Sequence, residues 1–460
     1  MTGMNMSRHK VTVNTCGSYD PETVLAALPD EPFAVILPGH RVVLKPNWVM
    51  ESRRHAPQEW EQIITHPAVI TAVLHKVLDR LAGRGEITIT DGPITEACFE
   101  KLMRRYPVAA WQELCAGRGV SFAIVDLRDH EWLTQNGVTV QRTALPGDPR
   151  GKVLVDLVGG TSEFEGHQRP PLGYYGADYD RAETNRAHDG VHNLYSVSRT
   201  VIESDVFINL PKLKTHRKAG ITCCLKNLVG INTYKNYLPH HSEGGPAQGG
   251  DQFPGADLRT SVEGPLLRLV KQYLFRREAI ARLLSPVNTL GKKILGDSAN
   301  VVRDGNWHGN DTAWRMILDL NKVLFYAGAD GVMRADRPDQ AKAYIGVVDA
   351  VIGGDGDGPL AADPVTMGRL VTGVNPVAID AVCATLMGFY PHRIPSISRA
   401  PEVRKYRICD FTLAEVEAVV DGVCFPIAQI PGTSITPFRP QFGWKGYIDT
   451  PLGSTKGGNE

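Results

Sequence analysis

The chain is poor in cysteine. Its eight thiols (Cys16, Cys98, Cys115, Cys223, Cys224, Cys383, Cys409 and Cys424) in 460 residues form no C-x-x-C pair. Zinc-ribbon and ferredoxin-type cluster spacings are therefore excluded. So sparse a set does not describe a disulfide scaffold, and the expectation is reduced, mostly buried thiols in a cytoplasmic protein. Long apolar runs are missing too. None approaches the roughly 18 residues of a transmembrane helix. Residues 1–13 lack the apolar core of a signal peptide. Neither charge sign prevails, with Lys plus Arg at 50 and Asp plus Glu at 50. Without a cationic excess, general nucleic-acid binding is not expected. No unit of roughly 20–50 residues repeats.

What is present describes a folded chain. Hydrophobic residues make up 42% and charged residues 22%, the balance of a globular protein. At about 150 residues per domain, the length accommodates two or three. Gly at 46 and Pro at 31 predict long ordered loops.

The first strong unit starts at Arg41. Val42, Val43 and Leu44 read as a buried strand that Pro46 ends. A helix follows, with Thr65 as N-cap, Pro67 in its first turn and Val69, Ile70, Val73, Leu74, Val77, Leu78 and Leu81 at helical spacing. Ile87–Thr90 is the next strand, closed by Asp91-Gly92-Pro93. This is the pattern of a βαβ unit in a parallel sheet. A second round adds a helix near 109–116 and a strand near 121–125. Val138–Arg142 and Val153–Val158 read as side strands, and 159–190 as loop. Val206–Leu210 is a further buried strand, followed by a basic loop and a helix opening near Gly220. Later helices are expected over 263–284, 312–323 and 375–386, the last entered through Pro376, with a strand over 343–350. Thr412–Glu415 carries a capping box.

The predicted fold class is α/β and two-lobed, with mostly parallel sheets flanked by helices and a cleft between the lobes. The expected divisions are an N-terminal segment (1–34), an N-terminal α/β lobe with the basic motif (35–240), a loop and connecting helix (241–284), a C-terminal α/β lobe (285–424) and a Pro- and Gly-rich tail (425–460).

The segment from Asn209 to Gly230 is the densest in chemistry-bearing residues. Lys212, Lys214, His216, Arg217, Lys218 and Lys226 follow directly on an apolar strand, where open parallel sheets bind ligands. Such a run is either a solvated basic loop or an anion site. The interleaved Gly, Thr and Asn favour an anion site for a carboxylate or phosphate. His216 is a proton carrier near neutral pH. A partly desolvated Lys226 among cations has the makings of a base or nucleophile. Lys45, Asn47, Lys214, Arg217 and Asn227 would bind substrate, with Asp91 beside the catalytic pair. Cys223 and Cys224 read as packing residues or, with His240 and His241, as ligands for a divalent or transition metal. Gly353–Pro359 places Asp355 and Asp357 in a glycine-rich turn that fits either a cation or hydroxyl site or a plain tight turn.

Taken together, Lys45-Pro46-Asn47, His66-Pro67, Asp91-Gly92-Pro93, the run Asn209–His216, the run Lys226–Gly230 and the run Asp355–Pro359 resemble, in order, the domain of unknown function 362 family. The likeness spans roughly residues 40–400. Some members of that family carry ferredoxin-type clusters, for which this chain has no cysteine spacing. A more distant resemblance is to the nickel-pincer lactate racemase family, through His216, Gly220, Thr222 and Lys226. That resemblance implies a proton-accepting role for His216, a covalently held cofactor on Lys226 and a nickel ligand near His240 or His241. Cys223-Cys224 stands where that family has Gly-Gly, and Asp91-Gly92-Pro93 stands where its second catalytic histidine would be. The reading that results is an enzyme with a small anionic substrate in an interlobe cleft and proton-transfer chemistry of isomerase or epimerase type. A metal- or cofactor-handling protein and a non-catalytic binding module of a biosynthetic assembly are its rivals.

Overall fold

The computed structural model describes residues 7–135, 138–167, 173–178, 180–255, 302, 304–335 and 342–450. The helix expected over 263–284 lies outside them. In chain order the described strands are β1 (Lys10–Thr15), β2 (Arg41–Pro46), β3 (Glu86–Asp91), β4 (Ser121–Asp126), β5 (His130–Gln135), β6 (Val138–Ala144), β7 (Lys152–Asp156), β8 (Tyr174–Gly176) and β9 (Leu194–Ser198). They continue with β10 (Val206–Leu210), β11 (Lys212–His216), β12 (Gly220–Thr222), β13 (Pro239–Ser242), β14 (Ala343–Asp355), β15 (Asp363–Gly373), β16 (Glu417–Val420) and β17 (Val423–Pro426).

Among the described residues, one 11-stranded sheet dominates, with the path β17-β16-β1-β15-β14-β10-β2-β3-β4 and the β11–β12 pair attached to β14. From β14 through β10, β2 and β3 to β4 all pairings are parallel. The β14–β15 and β1–β15 pairings are antiparallel. Because β10 pairs with β14, strands from both expected lobes share one sheet. β1, from the segment expected to stand apart, is integral to it. Three two-stranded sheets lie outside it: β5–β6, β7–β9 and β8–β13.

Side-chain alternation makes this sheet a partition. Val42, Leu44, Val206 and Ile208 face one apolar core together with the helix Pro67–Leu81. Val43, Phe207 and Val348 face another, with the helices Ala313–Tyr326 and Pro376–Leu386. The Pro67–Leu81 helix is capped by His66, not by Thr65. The His66 ring accepts from the Ala68 N–H at 3.1 Å. Thr65 is taken by the strand ends: its hydroxyl donates to the Leu210 carbonyl at 2.6 Å and accepts from the Asn47 N–H at 2.8 Å. No described helix is long and apolar enough to cross a membrane.

The basic segment after Leu210 is not a loop. It is the buried strand β11, hairpinned onto β12. Lys212 is neutralised there by Asp349 at 2.5 Å. Gly220 turns the chain with φ +78° and opens no helix. A side chain at that position would press tightly on Ile448 and Trp444. The helix that does form, Cys224–Asn227, is a single turn.

Candidate functional site

Three parallel strands end on one edge of the sheet, at Pro46, Asp91 and Leu210. That edge is where ligands bind in sheets of this kind. Lys45 and Asp91, buried at 0% and 4% side-chain exposure, form an ion pair of 2.7 Å. Asp91 also accepts from the backbone N–H groups of Trp48 at 2.7 Å and Gly92 at 2.8 Å. Gly230 is glycine because a Cβ there would lie 1.9 Å from the Asp91 carboxylate. Burial holds the Lys45 amine below its ordinary range, with Asp91 opposing.

Asparagines tie the strand ends together. Asn227 accepts from Asn47 Nδ2 at 2.8 Å and from Lys45 Nζ at 3.2 Å, and donates to Asn209 Oδ1 at 2.7 Å. Lys214 donates to Asn47 Oδ1 at 2.8 Å and to the Ile63 carbonyl. Burial, with Lys212 and Lys226 nearby, pushes Lys214 well down. Two donated bonds suit a neutral amine, so Lys214 braces the site more than it charges it.

These residues enclose a cavity of about 470 Å³. Lys45, Asn47, Asp91, Lys214 and Asn227 line it, as do His216, Arg217, Lys226, His240 and His241. Against four carboxylates on the lining (Asp91, Glu96, Asp178 and Asp304) stand twice as many lysine and arginine side chains. The cavity is therefore cationic in excess although the chain as a whole is not.

Lys226 stands out among the lining lysines. Lys45, Lys214, Lys218 and Lys235 each donate hydrogen bonds to protein atoms. Among the described residues, no hydrogen-bond or ion-pair partner meets the Lys226 amine. Its backbone is nevertheless held at both ends. Asp380 accepts from the N–H groups of Cys224 at 2.7 Å and Leu225 at 3.1 Å, and Asn227 is pinned by the asparagine network. Burial, and then the charges of Lys235 and Lys45, bring the Lys226 amine down to about 7.

Two imidazoles flank it in opposite tautomers. Nδ1 of His216 accepts from the backbone N–H of Lys218 at 3.1 Å, so the ring proton sits on Nε2. Nδ1 of His240 donates to the Leu238 carbonyl at 2.9 Å, which leaves a lone pair on Nε2. Burial, then Lys226, drives both below the usual histidine range, His240 to about 3. The cavity thus holds one neutral imidazole that donates and one that accepts. His241 is engaged otherwise: it accepts from Lys218 Nζ at 3.1 Å and stacks on Tyr175 at 4.7 Å between ring centroids.

Several expected site residues lie elsewhere. Asp355 is buried in a salt bridge to Arg439 at 2.7 Å and Asp357 is exposed, and neither lines the cavity. Asp355 fastens the C-terminal segment to the end of β14. Only Pro359 and Leu360 of that turn reach the cavity wall. Cys223 and Cys224 are fully buried and group with Asp380, not with His240 and His241, so the expected four-residue metal set does not assemble. Burial raises both thiols well above their ordinary range, and the Asp380 oxygens already accept backbone N–H groups. The cluster is an anchor for the Lys226 turn.

Sequence reasoning missed Asp178 and Lys235. Asp178, on the turn after β8, is pushed up to about 6, chiefly by burial, and accepts from the Thr95 hydroxyl. Lys235 donates to the Gly92 carbonyl at 2.8 Å. The polar run Asn232–Asn236 directly after Gly230 was the available signal for Lys235. Asp178 sits in a Gly-, Asp- and Tyr-rich stretch with no distinguishing pattern.

The family model for the "Domain of unknown function (DUF362)" matches residues 42–148 and 165–385, which take in every residue lining the cavity. The chain belongs to that family. In structure it is similar to the lactate racemase apoprotein from Thermoanaerobacterium thermosaccharolyticum, at 10% identity and a TM-score of 0.32, over 82% of this chain and 57% of that one. It is also similar to a Thermotoga maritima protein known from a crystal structure, at 10% identity and a TM-score of 0.34, over 80% of this chain and 58% of that one. This DUF362 chain thus spans under two thirds of the length of those structures. No curated protein matches its sequence.

Proposed function

We propose that this member of the DUF362 family is an enzyme that binds a small carboxylate or phosphate in the cavity and moves a proton on it. The observation that carries the reading is the pair of neutral imidazoles of opposite polarity in one cavity with an amine that has no partner among the described residues, where positive charge is in surplus. Arg217 and Lys218 attract the anion. His240 Nε2 takes the proton, since it holds the free lone pair. His216 Nε2–H donates a hydrogen bond to the oxygen on which negative charge develops. Lys226, charged when an anion is close, adds a second stabilising contact. Lys45–Asp91 and the asparagine network hold these groups in place and stay out of the chemistry.

The test is calorimetric titration with acetate, glycolate, pyruvate and inorganic phosphate, followed by proton NMR of each binding anion in D₂O. The reading expects binding by the native protein, with solvent deuterium entering the carbon next to the carboxylate of acetate or glycolate, or the methyl carbon of pyruvate. His240→Ala should keep binding and lose exchange. If His216→Ala and Lys226→Ala bind and exchange as the native protein does, the reading fails.

A further inference from the structure

The Lys226 amine is hard to account for as a binding charge alone. A lysine kept as a permanent cation is normally held by a carboxylate, as Lys45 is by Asp91 at 2.7 Å and Lys212 by Asp349. The carboxylate nearest in electrostatic effect to Lys226 is Asp91, and it is already bound by Lys45 and two backbone N–H groups. Nor is Lys226 needed as the general base. His240 supplies a lone pair at Nε2 in the same cavity. What remains is an amine whose backbone is clamped on both sides, whose nitrogen meets no hydrogen-bond or ion-pair partner among the described residues and whose surroundings disfavour the ammonium form. Those are the properties of a lysine nucleophile.

We infer that the substrate is a carbonyl compound bearing a carboxylate, a 2-oxo acid or an aldehyde acid, and that Lys226 binds it as a protonated imine. This rests on the reading of the cavity as a small-anion site. The neutral Lys226 amine adds to the carbonyl carbon, forming a C–N bond as the C=O π bond breaks. His216 Nε2–H supports the oxygen as charge collects there. The nitrogen loses one proton, which His240 Nε2 accepts and passes to the carbinolamine oxygen. That hydroxyl takes up a second proton, the one the Lys226 ammonium gave to solvent on becoming the neutral amine, and leaves as water as the nitrogen lone pair closes the C=N bond. The net change is carbonyl plus ammonium giving iminium plus water, with no electron gained or lost and no further reactant. The iminium then acidifies the adjacent C–H, which is the proton that His240 is placed to remove.

The experiment is reductive trapping. The full-length protein is mixed with glyoxylate or pyruvate and sodium borohydride, then digested and mapped by mass spectrometry, with calorimetry of the same acids run in parallel. The expected result is a reduced secondary-amine adduct concentrated on Lys226, absent from Lys226→Arg and absent when borohydride is spent before the acid is added. Mapping the native protein decides the matter even if the variant folds poorly. Calorimetric binding without a Lys226 adduct overturns the imine and leaves the anion site standing. Adducts scattered over other lysines with no excess at Lys226 also overturn it. Neither binding nor adduct overturns both readings.

Discussion

His216 Nδ1 accepts a hydrogen bond from the Lys218 backbone, whereas His240 Nδ1 donates one to the Leu238 carbonyl. Backbone geometry, not pH, sets these two roles. A backbone N–H only donates and a carbonyl only accepts, so each ring is locked into one tautomer. With burial and Lys226 opposing protonation, both rings stay neutral below the usual histidine range, His240 down to about 3. Long-range nitrogen–proton NMR correlations at pH 5.5 should give the Nε2–H form for His216 and the Nδ1–H form for His240. Finding either ring doubly protonated at that pH contradicts the assignment.

The Lys45–Asp91 pair is a buried brace. Removing one partner strands a charge, so Lys45→Met or Asp91→Leu should each cost about 3–5 kcal/mol. The double variant should cost less than the sum of the two, because no lone charge remains. Urea denaturation of the four proteins measures the coupling. Additive losses would mean that the two groups do not stabilise each other.

Lys226 should behave in the opposite way. Its folded-state pKa lies below its unfolded value, so folding penalises the charged form. The penalty is complete below about pH 7 and fades as pH rises toward the unfolded value of 10.5. Lys226→Met should therefore gain about 2 kcal/mol of stability at pH 6 and progressively less at higher pH, while losing adduct formation. Denaturation at pH 6 and pH 9.5 checks the sign. A variant less stable than the native protein at pH 6 would contradict an unpaired amine.

Thiol reactivity checks the cluster beneath the site. Cys223, Cys224 and Cys383 are fully buried and held protonated by burial, whereas Cys424 is exposed. A thiol reagent should modify Cys424 quickly and this trio only on unfolding. Rapid labelling of Cys223 or Cys224 in the native protein would show that the Lys226 turn opens.

Where apolar periodicity is strong, the fold is written in the sequence. Val42–Leu44, the seven apolar residues of the Pro67–Leu81 helix and Ile87–Ile89 predict a strand, helix and parallel strand, and the structure has them. Much of the cavity lining was also readable, because Lys45, Asn47, Asp91 and the residues after Leu210 sit where parallel strands end. What local sequence does not carry is the identity of distant partners. Lys212 reads as part of an anion site or a solvated basic loop until Asp349 comes beside it from β14. Asp355 reads as a ligand until Arg439, 84 residues on, takes its carboxylate. The same holds for β1, whose place depends on β15 and β16 from the far end of the chain.

The titration of Lys226 tests most directly whether its amine, which has no partner among the described residues, faces an anion site. The protein carrying carbon-labelled lysine side chains is followed by NMR across pH, with Lys226→Arg identifying the resonance. The account predicts a midpoint near 7. Added inorganic phosphate or acetate should raise it, since an anion favours the ammonium form; by the same linkage, affinity for the anion should fall as pH climbs through 7. A midpoint near the ordinary 10.5, or one that neither anion moves, would contradict it.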